Sequence, residues 1–104
     1  MLVTDRVDNQ FKFSDTGCSC LGTVYYNGKA TVMVIDSVMV DEMYRGMGIG
    51  TNLMKHVIAF AKNLGVDAIE LVVDRDNKVA KKLYKTVGFQ KTNNEHHRII
   101  LKEF

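Results

Sequence analysis

The chain has 104 residues, 46% of them hydrophobic and 25% charged, with a formal net charge of +2 at pH 7. A chain of that size holds one domain, near the lower end of what buries a good core alone. Such a balance excludes a disordered chain and leaves no electrostatic footprint for nucleic acid.

Proline is absent, and no repeat, linker or low-complexity tract divides the sequence, so residues 1–104 are read as one unit. No apolar run approaches the ~20 residues of a membrane span, and residues 1–8 lack the charged and apolar regions of a signal peptide. The expected location is the cytoplasm, with no membrane partner.

The first third reads as strands. Phe11-Lys12-Phe13 alternates, Cys20–Tyr26 is apolar and β-branched, and YNGK at 26–29 is an Asn-Gly hairpin signal. Cys18 and Cys20, two residues apart on a strand, point the same way. No second pair or histidine cluster completes a zinc site, so they are expected as reduced structural thiols, and no metal is expected. From Ala30 to Val40, ATVMVIDSVMV predicts a largely buried strand, bulged or broken near Asp36-Ser37.

The periodicity then changes. Ile49, Leu53, Val57 and Ala61, with Met54, Ile58 and Leu64, recur at spacings of three and four and predict a helix, which Gly65 ends. AIELVV at 68–73 is apolar enough for a central strand. A second helix is expected from Asn77, with Val79, Ala80, Leu83, Tyr84 and Val87 on its inner side and Gly88 as its stop. Residues 89–92 and 98–104, joined through NNEHH, are expected to close as an antiparallel pair. The order predicts an α/β fold (α+β by some schemes), a single mixed, mostly antiparallel sheet flanked by helices.

Between the long strand and the first helix, Gly46, Gly48 and Gly50 follow one another beside Arg45. A P-loop would need Lys-Ser/Thr after the glycines, and none follows. A dinucleotide fingerprint would need its last glycine one residue later, and Glu70 sits inside a strand rather than ending one. A plain turn needs only one or two glycines. The remaining reading is an anion site, in which a helix's free N–H groups and its dipole meet negative charge. Missing Cβ atoms at 46, 48 and 50 would let phosphate oxygens reach those groups, and Arg45 adds positive charge.

VMVDEMYRGMGIGTNLMKHVIAFAKNLG, residues 38–65, resembles motif A of the GNAT superfamily of N-acetyltransferases, matched by Arg45, Gly48 and Gly50. NKVAKKLYKTVGF resembles the family's motif B, through Asn77, Ala80, Tyr84, Gly88 and Phe89. The resemblance covers residues 33 to 93 and implies acetyl-CoA as acetyl donor. It implies that the pyrophosphate sits on the backbone of Arg45, Gly46, Met47, Gly48, Ile49, Gly50 and Thr51. The pantetheine arm would run like an added strand along Val38, Met39 and Val40. Asn77 would reach its amide, and Tyr84 would lie by the thioester sulfur.

A lysine-like amine has a pKa of ~10.4 and must lose a proton before it attacks. By resemblance, Tyr84 is the acid for the leaving thiolate, against the alternative of a packing tyrosine with a satisfied hydroxyl. Asp36 is the candidate base, placed by alternation on the face of Val38, against a hydrogen-bonded bulge residue. Glu70 is a second candidate, against a salt-bridged sheet residue. His56 reads as solvent-exposed on the helix's polar side, and His96 and His97 read as a surface turn. Lys81, Lys82 and Lys85 read as a solvated basic face, one of which could meet the 3′-phosphate of CoA.

Relatives carry two helices between their first and second strands, walling one side of the acceptor site, whereas nothing ahead of this hairpin reads as helix. The fold is therefore expected to have a shortened N-terminal region. Either the groove is open there, which suits a protein lysine or N-terminus, or a second copy of the chain covers it as a homodimer, which suits a small amine. The implied function is direct acetyl transfer to a primary amine in a ternary complex. The alternative is a non-catalytic CoA-binding regulatory module.

Overall fold

The computed structural model describes residues 2–93 and 95–102. The expected β-rich opening is an antiparallel run of β1 (Val3–Val7), β2 (Gln10–Asp15), β3 (Cys18–Tyr26) and β4 (Thr31–Val40). β1 carries too little alternation to stand out in the sequence, and it gains its place by pairing with β2. The hairpin forms where expected: Asn27 Oδ1 accepts from the N–H groups of Lys29 (3.0 Å) and Ala30 (2.9 Å).

Helix α1 (Ile49–Leu64) follows β4 through a short 3-10 turn at Glu42–Tyr44, and Gly65 caps it in the left-handed conformation. Strand β5 (Ala68–Val72) is central, between β4 and β7. Helix α2 (Lys78–Thr86) is capped by Asn77, and β6 (Gln90–Lys91) and β7 (His96–Ile100) close the sheet as the expected antiparallel pair. β7 starts two residues before the expected run. Residues 94, 103 and 104, parts of the expected connection and last strand, lie outside the described residues.

The seven strands form one mixed sheet in the order β1-β2-β3-β4-β5-β7-β6, in which only β4 and β5 are parallel. One face of the sheet packs against both helices, with Phe11, Phe13, Met33, Ile35, Ile69 and Leu71 in a core shared with Leu53, Val57 and Tyr84. The alternating residues Val72 and Ile100 face the other way and are exposed. Val79, expected on the inner side of α2, is instead 81% exposed. It sits in the first turn of a short helix, ahead of the residues that reach the core.

Cys18 and Cys20 share a side, as the spacing implies, and both are buried free thiols. Among the described residues, no helix is long and apolar enough to cross a membrane.

Candidate active site

The site begins where β4 and β5 part. Their parallel pairing covers Val32 to Ile35 against Ala68 to Leu71, and β4 then continues alone on that side to Val40. On its other side β4 stays paired with β3, with a register shift between Ser19 and Leu21. Asp36 pairs with Leu21 and Met39 with Ser19, so β4 has one residue more than β3 there. Ser37, at φ 53°, takes up the extra residue as a bulge.

The bulge corrects the expectation for Asp36. Simple alternation would put Asp36 and Val38 on one face, but the inserted residue reverses the parity. Val38 packs against the core and Asp36 is exposed. Among the described residues the Asp36 carboxylate makes no hydrogen bond or ion pair.

Among the described residues, the main chain beyond the bulge pairs with no strand on the β5 side. The Asp41 N–H donates to the Gly17 carbonyl at 2.7 Å, towards β3. Alternation then turns the N–H and C=O of Val38 and Val40 to the open side and those of Met39 to β3. The Val40 carbonyl accepts from Arg45 Nε at 3.2 Å.

The glycine turn lies at the end of this edge. Gly46 (φ 81°) and Gly48 (φ 78°) hold left-handed backbone that few other residues adopt, and a Cβ on either would meet nothing within 4 Å. Gly48 is the N-cap of α1, without side-chain capping, and no acidic residue stands in the first turn. Among the described residues, the N–H groups of Gly46, Met47, Gly48, Ile49, Gly50 and Thr51 donate to no acceptor. Open space, unpaired amides, the helix dipole and Arg45 therefore converge, and they fit a diphosphate.

Gly50 serves differently from expectation. It is buried, and a Cβ there would stand 2.9 Å from Leu83 Cδ1 and 3.3 Å from Val40 Cγ2. Its missing side chain lets α1, α2 and β4 pack closely rather than admitting a ligand oxygen.

α2 brings two further expected residues. Asn77 Oδ1 accepts from the Ala80 N–H at 3.1 Å as the N-cap, which leaves its amide N–H donors available. Tyr84 is 6% exposed, with its ring edge-on to Phe89 at 5.8 Å. Burial, then the neighbouring Cys20 thiol, push its phenol up to about 12, so it is protonated at neutral pH. Cys20 is itself pushed up to about 12 by burial, then by Cys18 and by Asp36. Cys20 thus lies within electrostatic reach of both Tyr84 and Asp36, although far from both in sequence. Its position opposite the bulge on β3 carries that information, and spacing alone does not.

On the other face a small cavity of about 180 Å³ is lined by Val34, Glu70, Thr92, Asn93, His96 and Arg98, among others. Glu70 is held there by Arg98, at 3.0 Å to Nη2 and 3.2 Å to Nε, so its carboxylate is engaged as a salt bridge. His96 is exposed and bonded to Asn93 Oδ1 at 2.7 Å. His56 and His97 depart from expectation. His56 packs against Phe13 at 6.1 Å and reaches Thr4 Oγ1 at 3.4 Å, and His97 is 5% exposed within β7. The HHRII pattern could have revealed this, because His97 shares a strand face with Ile99. Among the described residues no group of His, Cys, Asp and Glu gathers as a metal site.

A sequence profile of the acetyltransferase (GNAT) family matches residues 12–89. An uncharacterized N-acetyltransferase of Bacillus subtilis is 36% identical over 75 residues, 66% of this chain and 30% of that protein. The N-alpha-acetyltransferase RimI of Mycobacterium tuberculosis is 40% identical over 57 residues, 55% of this chain and 34% of that protein. The chain thus spans about a third of these relatives. The ribosomal-protein-S18-alanine N-acetyltransferase of Escherichia coli superposes with a TM-score of 0.77 at 19% identity, covering 95% of this chain and 74% of the other. The NatC complex, bound to Gag peptide and CoA, superposes at 0.72 and 19% identity, covering 93% and 72%.

Proposed function

Because the chain belongs to the acetyltransferase (GNAT) family, we infer that it transfers an acetyl group from acetyl-CoA to a primary amine. The observation that carries the reading is the set of amides from Gly46 to Thr51, unpaired among the described residues, at the end of a strand edge that β5 leaves open. That edge supports a pantetheine arm lying along Val38, Met39 and Val40, as a peptide strand adds to a sheet. The free amide donors of Asn77 support a bond to the same arm. Acetyl-CoA supplies the reactive thioester.

Tyr84 acts as the acid. Its raised pKa keeps the proton on the phenol until negative charge develops on sulfur beside it. Asp36, exposed beside the bulge and free of partners among the described residues, takes the amine's proton, directly or through water. Glu70 is the weaker candidate because Arg98 occupies it. The bare second face supports an acceptor arriving on a peptide, as does the peptide bound by the NatC neighbour.

A thermal shift tests the cofactor. A ligand at 100 times its dissociation constant stabilises by about 2.7 kcal/mol, and each kcal/mol moves the midpoint of a domain this size by roughly 4–8 °C. Acetyl-CoA and CoA are expected to raise the midpoint by about 10 °C or more on that scale, and NAD is not. No shift with either CoA form refutes the reading. Release of CoA in a screen of peptides and amines then identifies the acceptor.

A further inference from the structure

Helix α2 has two flanks with different neighbours. Leu83 faces α1, where it crowds Gly50. On the other flank Lys81 and Lys85 line a cleft of about 560 Å³ with Phe89, Lys91 and His97. No residue of the glycine turn or of the β4 edge lines this cleft, and among the described residues neither does any carboxylate.

His97 lies in the wall of the cleft, on the helix-facing side of β7 with Ile99, whose Cδ1 is 3.2 Å from where Gly88 would carry a Cβ. The imidazole is 5% exposed, and its Nε2 is fully buried without a hydrogen-bond partner among the described residues. Leaving a buried polar atom unpaired is costly, and such atoms are rare in folded proteins. An unpaired imidazole under a cationic rim is therefore suited to a ligand that brings both negative charge and a hydrogen bond.

The geometry points to a second anion site in this cleft, taking a compact oxyanion (a phosphate, sulfate or carboxylate group on a small molecule). Its charge would rest among Lys81, Lys85 and Lys91, and one oxygen would accept from His97 Nε2. The Lys81 ammonium already donates to the Arg75 carbonyl and keeps further N–H donors for a ligand. Phe89 forms the cleft's inner wall and packs on Tyr84, so an occupant bears on the surroundings of the proposed acid.

Among the described residues, the charged groups facing His97 are Lys81 and Lys85 on α2 and Lys91 on β6, and His96 adjoins it on the opposite face of β7. Burial, then Lys81, Lys91 and His96, hold the imidazole below its usual range, so it is neutral at pH 7. A bound anion opposes both effects and favours the imidazolium.

The test is an NMR pH titration of the three histidines in sodium sulfate against sodium chloride at equal ionic strength. Sodium benzoate forms a second arm for carboxylates. The midpoint of His97 is expected to rise in at least one arm while His56 and His96 stay in place, and the arm that responds identifies the oxyanion. Lys85→Ala combined with Lys91→Ala is expected to remove the rise. Saturation with CoA is expected to preserve it, because the two sites are separate. A midpoint unmoved in both arms, an equal rise at all three histidines, or a rise that survives the double substitution overturns the proposal. Loss of the response on adding CoA also overturns it, by assigning the cleft to the cofactor. The readout needs no acetyl transfer, so it can fail while the acetyltransferase reading stands.

Discussion

In the proposed reaction Tyr84 joins the core to the chemistry. Its ring packs on Phe89, and burial and the Cys20 thiol keep its phenol protonated well above neutral pH. Tyr84→Phe keeps the ring and deletes the donor. In steady-state assays it is expected to lower kcat by on the order of 10²–10⁴-fold, the usual worth of a general acid. CoA affinity by calorimetry should stay within about twofold, because the proposed pyrophosphate contacts are remote. A non-catalytic CoA-binding module would lose nothing measurable. The placing of the glycine turn, the Asn77 cap and the inward Tyr84 was legible in the sequence, since these residues stand in motifs with a physical reason for their spacing. The neighbourhood of Cys20 was not legible, because it depends on which residue of β3 lies opposite the bulge. His97 was misjudged because its pair with His96 suggested a turn, whereas a strand puts the two on opposite faces.

At the scale of elements, β4 positions the site. The Asp-Ser break in a Val- and Ile-rich run signalled the bulge. It could not signal the consequence, because one inserted residue reverses which side chains face the helices. Ser37 tolerates φ 53° as a small polar residue, and a β-branched residue does not. Ser37→Val is expected to cost about 1–2 kcal/mol, read as a lower urea midpoint with unchanged slope. It should also weaken CoA binding, because the edge at Val38 and Val40 loses its alignment. The helices were read closely from periodicity and their glycine stops. The short strands β1 and β6 exist by pairing and carry little pattern of their own.

For the whole molecule, two buried groups link stability to alkaline pH. Cys20 rises from 9.0 to about 12 and Tyr84 from 10.0 to about 12 on folding. Both folded values lie above the unfolded ones, so the native state holds these protons more tightly. The stability they contribute is complete below about pH 9 and is lost as pH climbs towards about 12. Urea midpoints are expected to stay level through neutral pH and then fall, with each pKa unit of separation worth about 1.4 kcal/mol. Cys20→Ala should delay the onset until Tyr84 begins to ionise, and an undelayed onset would discount Cys20.

The parting of β4 from β5 has a mechanical consequence. Two prongs, β1–β4 with α1 and β5–β7 with α2, are joined at the sheet by the parallel rungs from Val32–Ala68 to Ile35–Leu71. A guest held by the amides after Gly46 on one prong and by Asn77 on the other would brace them like a pin through a tuning fork. Amide hydrogen exchange should therefore slow in β5 and α2, and not only at the phosphate turn, when CoA is added.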